Sequence, residues 1–169
     1  MSASLSLRRS GLIWLLFSAF VIGVDQITKF IVLGALQPLV PVAVIPGLLN
    51  WTLAFNTGAA FSFLADQQGW QRWLFSGLAL IVSAVLTNWL RRTPRADWRT
   101  ALPLALVIGG ALGNLIDRVR FGHVTDFIQV YYQQWAFPSF NVADSAISIG
   151  AVLLVWFGLF SHGKREGVK

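Results

Sequence analysis

The chain has 169 residues, of which 56% are hydrophobic and only 12% are charged, and its mean hydropathy is +0.65. A soluble domain carries about 25% charged residues, so this composition indicates an integral membrane protein. Cysteine is absent, which excludes disulfides, thiolate metal sites and cysteine nucleophiles. Two histidines are too few for a typical zinc site, and we expect neither a metal nor a cofactor.

Four apolar segments are long enough to approach the thickness of a bilayer. They predict a membrane α-helical protein with four transmembrane helices at residues 12–35, 73–90, 101–116 and 144–160. Asp25 and Lys29 interrupt the first segment, and no convincing cleavage site follows it, so a cleaved signal peptide is disfavoured there. No linker or repeat divides the chain, and we expect one membrane domain over residues 1–169.

Basic residues gather at the ends of these segments. Of 13 Lys and Arg residues, two lie in the N-terminal tail, four in loop 91–100 and three in the C-terminal tail. The positive-inside rule therefore predicts that both termini and loop 91–100 are cytoplasmic, and that loops 36–72 and 117–143 lie on the outer face. The net charge of +6 then reflects topology, and we expect no nucleic-acid partner.

The two outer loops have different patterns. The first is rich in Val, Phe and Trp and is interrupted by Pro41, Pro46 and Gly47, which predicts short strands in a small outer-face β-sheet. The second has an almost uncharged, aromatic run over residues 127–137, which is typical of a short segment lying in the membrane interface. The sequence leaves open whether that segment is helix or strand.

Two carboxylates fall on the predicted outer face, because Asp126 follows the third span and Asp144 begins the fourth. Two adjacent carboxyls do not both ionise cheaply, so one keeps its proton and the pair can supply a general base and a general acid. That is the chemistry of an aspartic protease. The alternative is that each aspartate only caps a helix or remains solvated.

Further polar residues are predicted at the same depth, namely Asn56, Asn114, Arg118 and Asn141. Polar groups near lipid need partners, which favours one hydrogen-bonded site. The alternatives are that Asn141 or Asp144 caps the last helix and that Asp117 and Arg118 only anchor the third span in the headgroups. Asp25 and Lys29 are four residues apart on one helical face, a spacing as compatible with an internal ion pair as with catalysis.

Five blocks of sequence together resemble the lipoprotein signal peptidases, also called type II signal peptidases. They are "DQITK" at 25–29, "NTGAAFSFL" at 56–64, "GNLIDR" at 113–118, "VTDF" at 124–127 and "FNVADSAI" at 140–147. The blocks occur in the order found in that family, from the first span to the fourth, and their combination is far more specific than any one of them.

The resemblance implies a monomeric, multi-pass aspartyl protease of the bacterial inner membrane, with an outer-face sheet and a short helix beside it. It implies that the enzyme removes signal peptides from prolipoproteins, cutting before a diacylglyceryl-modified cysteine, and that globomycin inhibits it. Asp126 and Asp144 then match the catalytic pair. The positions that match supporting or substrate-binding residues are Asp25, Asn56, Gly58, Asn114, Arg118 and Asn141.

Two rival functions remain at this point. A Ser-Lys protease would use Ser62 or Ser145 as nucleophile and Lys29 as base, but the nearby Asp25 makes Lys29 a poor base. A proton-coupled transporter would use the outer-face carboxylates as a relay. Against the transporter, the carboxylates are predicted at one face, and the spans show no inverted repeat.

Overall fold

The structure, a computed structural model, describes residues 9–58 and 69–160. Four helices in this part of the chain are long and apolar enough to cross a membrane. They are α1 (Leu15–Ala35, preceded by a 3-10 turn at Gly11–Trp14), α2 (Trp70–Arg92), α3 (Trp98–Phe121) and α4 (Val142–Phe160). The four predicted spans are confirmed.

Helices α2, α3 and α4 extend further than the apolar runs that predicted them. The run 101–116 stops at Asp117, yet α3 continues to Phe121 and ends where Gly122 takes a left-handed conformation with φ 81°. Asp117 and Arg118 therefore belong to the helix, and assigning them to the outer loop was wrong. Hydropathy detects only the apolar part of a helix, whereas the hydrogen-bonded ladder continues through the polar interface. The same reason explains the early starts of α2 and α4.

Helix α3 is the centre of the bundle and packs against the other three helices. In α3, 61% of the spanning window is buried, against 17% in α2 and in α4. Small residues allow this close packing, because a Cβ on Gly109 would meet the backbone of Ser18 in α1 and one on Gly110 would meet the carbonyl of Ala143 in α4. The remaining helix surfaces are left to face lipid.

A four-stranded antiparallel sheet covers one end of the bundle. Its strands, in spatial order, are β1 (Val42–Ile45), β2 (Leu49–Asn56), β3 (Val124–Tyr132) and β4 (Trp135–Ala136). Because β2 comes from the first outer loop and pairs with β3 from the second, both loops lie at the same end. The strands predicted in the first loop are confirmed, and the aromatic run of the second loop is also mainly strand.

The opposite end of the bundle holds the N-terminal residues and the turn between α2 and α3. The Gly11 amide donates to the Thr93 carbonyl at 2.7 Å, and the Arg95 amide donates to the Arg9 carbonyl at 2.9 Å. The resemblance also implies a short helix beside the sheet. The ranges 9–58 and 69–160 contain no such helix next to the sheet, and residues 59–68 lie outside the described part of the chain.

Candidate active site

Asp126 lies in β3, opposite Ala54 of β2, and is 2% exposed. Two side-chain amides donate to its carboxylate. The Asn56 Nδ2 lies 3.1 Å from Oδ2, and the Asn141 Nδ2 lies 2.7 Å from Oδ1. Antiparallel pairing of β2 with β3 brings Asn56 to this carboxylate from a segment 70 residues away in the chain.

Gly58 sets the orientation of the Asn56 amide. The Gly58 backbone N–H donates to the Asn56 Oδ1 at 2.9 Å, which leaves the Asn56 Nδ2 directed at Asp126. Gly58 has φ 100°, a conformation that favours glycine, and a Cβ there would collide with the ring of Phe75. A glycine is thus required by both backbone and space.

Asp144 is held by the start of α4, where Asn141 is the N-cap. The Asp144 N–H donates to the Asn141 Oδ1 at 2.8 Å, and the Asn141 N–H donates to the Asp144 Oδ2 at 3.2 Å. This reciprocal pair is a capping box. The other carboxylate oxygen, Oδ1, accepts from the Asn114 Nδ2 at 2.7 Å. Capping was one predicted alternative for these residues, and they cap the helix while also facing the site.

Two asparagine amides connect the carboxylates of Asp126 and Asp144. The Asn141 Nδ2 donates both to Asp126 and to the Asn114 Oδ1, the latter at 3.1 Å. Asn114 in turn donates to Asp144. The structure therefore brings together residues predicted from three separate parts of the sequence, and each amide fixes the orientation of the next.

Burial and a neighbouring charge alter the acidity of Asp126. Burial first, and the nearby Asp144 carboxylate second, raise the pKa of its carboxyl to about 7, against the opposing effects of hydrogen bonds from Asn56 and Asn141 and of the charge of Lys29. Asp126 can therefore bind or release a proton near neutral pH, as a general acid or base requires.

A buried ion cluster lies beneath this pair. The Lys29 ammonium is 2.8 Å from the Asp25 Oδ2, 2.9 Å from the Asp117 Oδ2 and 3.0 Å from the Asn114 Oδ1. The Asp25 and Lys29 ion pair, one of the two alternatives, is present. Asp117, which the sequence suggested only as an anchor of the third span, belongs to the cluster, and Gln26, whose Nε2 donates to the Asp117 Oδ1 at 2.9 Å, was missed. The spacing of Asn114 and Asp117, three residues apart on one helix, was the signal that could have found Asp117.

Arg118 places a positive charge near both carboxylates without touching them. Its Nη1 is 3.4 Å from the Asn114 carbonyl, and its guanidinium lies over the Phe75 ring at 5.3 Å. Its charge interacts with Asp144 and Asp126, yet its buried Nε has no hydrogen-bond partner within the described ranges. Arg118 thus has donor capacity left over beside the carboxylates.

The geometry disfavours the Ser-Lys alternative. The Ser145 hydroxyl donates back to the Asn141 carbonyl at 2.9 Å, and the three ammonium donors of Lys29 all have oxygen partners. Lys29 is therefore not placed to deprotonate Ser145. The other candidate nucleophile, Ser62, lies outside the described residues.

The sequence matches the model of a known protein family over most of its length. The family described as Signal peptidase (SPase) II matches residues 17–160. The chain belongs to this family. All the site residues named above fall inside the matched range, so the network of asparagines and aspartates is part of a signal peptidase II domain.

Relatives support membership in the signal peptidase II family. The chain is 58% identical over 157 residues to the lipoprotein signal peptidase of Xanthomonas campestris pv. campestris (strain 8004), covering 93% of each chain. It is 56% identical over 151 residues to that of Xylella fastidiosa (strain M12), covering 89% of this chain and 90% of the relative. The proposed transporter has no support from these relatives.

Two solved bacterial membrane enzyme structures share the fold. One superimposes with a TM-score of 0.79 at 30% identity over 93% of each chain. The other has a TM-score of 0.76 at 32% identity and covers 88% of this chain and 93% of that enzyme. The chain is therefore a multi-pass membrane protein with the architecture of this enzyme family.

Proposed function

We propose that this chain is an aspartic endopeptidase that removes the signal peptide from prolipoproteins, with Asp126 and Asp144 as its catalytic pair. Family membership supports the protease activity and the prolipoprotein substrate. One observation carries the catalytic assignment. Two carboxylates, linked through Asn141 and Asn114, share a largely buried site in which neither forms an ion pair with a Lys or Arg of the described ranges.

The proposed reaction begins with one ionised and one protonated aspartate. The ionised carboxylate takes a proton from a water molecule, and the oxygen of that water bonds to the carbonyl carbon of the scissile amide. The protonated carboxyl gives its proton to the carbonyl oxygen, which yields a neutral tetrahedral intermediate. When the C–N bond breaks, the departing nitrogen takes a proton from the aspartate that first accepted one, and one hydroxyl of the intermediate returns its proton to the other aspartate. The products are a carboxylic acid and an amine, and the pair regains its starting protonation.

The surrounding polar residues are proposed to orient this pair and the substrate. Asn56, Asn114 and Asn141 donate to the catalytic carboxylates, and Gly58 holds Asn56 in place. The unpartnered Nε of Arg118 is a proposed donor to a carbonyl of the bound peptide. We assign Asp25 a supporting role through the ion cluster.

We propose that the scissile bond precedes a diacylglyceryl-modified cysteine. Asp144 lies in the first turn of α4 and Asp126 lies in the sheet that covers this end, a depth that suits a peptide bond at the membrane surface. Helices α2 and α4 leave most of their surface for lipid, so acyl chains can hold the substrate against the bundle. Such anchoring converts a search in three dimensions into an oriented encounter.

The proposed setting is the bacterial inner membrane, with both termini in the cytoplasm and the active site on the periplasmic face. The arginines of loop 91–100 and the N-terminal residues share one end of the bundle, and the carboxylates lie at the other. We propose a monomer that works among membrane lipids, and a globomycin-type cyclic peptide as an inhibitor that occupies the carboxylate pair.

A matched pair of substrates tests the proposed function. Purified protein is incubated with a prolipoprotein that carries the diacylglyceryl group and with the same protein lacking it, and the products are identified by mass spectrometry. We expect cleavage immediately before the lipidated cysteine and no turnover of the unlipidated form. Equal cleavage of both forms would contradict the proposed role of lipid, and cleavage of neither would contradict the function.

A further inference from the structure

The backbone immediately before each proposed catalytic aspartate is held by the ion cluster. The Ala143 N–H, one residue before Asp144, donates to the Asp25 Oδ1 at 2.9 Å. The Thr125 N–H, one residue before Asp126, donates to the Asp117 Oδ2 at 3.0 Å. Two different elements, the start of α4 and strand β3, are therefore held at corresponding points by two carboxylates.

One ammonium group joins those two carboxylates. Lys29 contacts both Asp25 and Asp117, and its third donor goes to Asn114, which itself donates to Asp144. All three charged residues are buried: Asp25 is 0% exposed, Lys29 is 3% exposed and Asp117 is 1% exposed. A buried charge without its partner is strongly unfavourable, so these contacts hold the two carboxylates in fixed positions relative to each other.

We propose that Lys29 is a positioning residue for catalysis, which acts through Asp25 and Asp117 to set the relative placement of Asp144 and Asp126. This inference rests on the proposed function, because it assumes that the latter two aspartates carry out the reaction. The contacts with the amides of Ala143 and Thr125 connect the cluster to the backbone that carries both aspartates.

The charge of the cluster supplies a readout that a purely structural role would not move. The charged groups that face Asp126 are Asp144 from α4, Lys29 from α1 and Arg118 from α3. Removal of the positive charge of Lys29 raises the pKa of Asp126, because that charge favours the ionised carboxylate. Removal of the negative charge of Asp117 leaves Lys29 less neutralised and acts in the opposite direction.

The experiment compares Lys29→Met, Lys29→Arg and Asp117→Asn with the wild type. Asp117→Asn keeps an oxygen for the Thr125 amide while the charge is lost. Thr28→Val is the matched control, since Thr28 neighbours Lys29 but donates only to carbonyls of its own helix. Folding is checked by melting temperature and gel filtration in detergent.

We expect Lys29→Met to lower kcat by about 100-fold with little change in KM, because small misplacements of catalytic groups cost about that much. The alkaline limb of its pH profile should move to higher pH, because the proton of Asp126 is then lost at higher pH. The alkaline limb of Asp117→Asn should move to lower pH, and those of Lys29→Arg and Thr28→Val should match the wild type. Such opposite shifts would support the inference.

Three results would overturn the inference. The first is a folded Lys29→Met with normal kcat, and the second is a loss of kcat with an unmoved alkaline limb. If Lys29→Met does not fold, the inference is tested by Asp117→Asn, and an unmoved alkaline limb in that variant is the third. Asp126→Asn is assayed alongside these variants. Cleavage retained in Asp126→Asn would contradict the proposed function itself. Cleavage lost in Asp126→Asn, together with any of these three results, would contradict only the role of Lys29.

Discussion

Two pairs of aspartates lie in one hydrogen-bonded network and differ in what balances their charge. Asp25 and Asp117 both contact the Lys29 ammonium. Asp126 and Asp144 contact only amide donors, three from asparagine side chains and one from the backbone of Asn141. Residue type is the same in both pairs, so the difference comes from the partners that the fold supplies.

This difference separates a structural role from a chemical one. A carboxylate held against an ammonium gains from being ionised, whereas neighbouring carboxylates with neutral partners repel each other and favour retention of a proton. The first pair is suited to fixing backbone positions, and the second to exchanging protons with a substrate. Substitutions in the second pair, at its amide donors and outside both pairs should therefore have effects of decreasing size.

The largest effect is expected where the proton-exchanging pair is broken. Asp126→Asn and Asp144→Asn keep side-chain size but abolish acid and base function, and each should lower the rate of prolipoprotein cleavage by about 1,000-fold or more. The measurement is turnover of the diacylated substrate by purified protein. Asp97→Asn is the control, because Asp97 caps α3 and Asn caps equally well. Near-normal cleavage by either active-site variant would end the two-aspartate mechanism.

A smaller effect is expected when one amide donor is removed from the same pair. Asn56→Ala deletes a hydrogen bond that lowers the pKa of Asp126. We expect the alkaline limb of the pH profile to move to higher pH and kcat to fall by about 10-fold, since a hydrogen bond to a charged group contributes about 1.5–3 kcal/mol. Asn50→Ala, on the same strand, is the control. An unmoved alkaline limb would show that Asn56 does not tune Asp126.

Ionisation of the buried Asp126 carboxyl should lower the free energy of unfolding at high pH. The pKa of Asp126 is about 7 in the folded chain, against about 4 in an unfolded one. The folded state therefore binds the proton more tightly, and between these values stability falls as pH rises. At about pH 8, Asp126→Asn should raise the melting temperature, with a gain of up to a few kcal/mol in the free energy of unfolding. At about pH 4 it should have little effect. An equal change at both pH values would refute this.

The smallest effect is expected outside both pairs. Ser145 donates only to the Asn141 carbonyl of its own helix turn, so Ser145→Ala should leave kcat within about twofold of the wild type and change stability by about 1 kcal/mol or less. The assay is cleavage of the same diacylated substrate. A loss as large as that expected for the aspartate variants would restore Ser145 as a nucleophile.

The sequence pointed to the residues of the proposed catalytic pair more directly than to the ion cluster. Asp126 and Asp144 lie within characteristic sequence blocks, and the positive-inside rule placed both on one face. The link from Lys29 to Asp117 joins α1 to α3, so it depends on how helices pack, which local patterns do not specify. Strand β3 was ambiguous because an aromatic run suits both a sheet and a membrane interface.

The most direct test of the contrast is an infrared titration of protonated carboxyl groups in the wild type and in Asp126→Asn. Asp25→Asn and Asp117→Asn serve as controls for the pair bound to Lys29. We predict a carboxylic acid C=O band in the wild type that disappears with a midpoint near pH 7, as the pKa of Asp126 requires. The band should be absent in Asp126→Asn and present in both controls. A band that persists unchanged in Asp126→Asn would contradict the account.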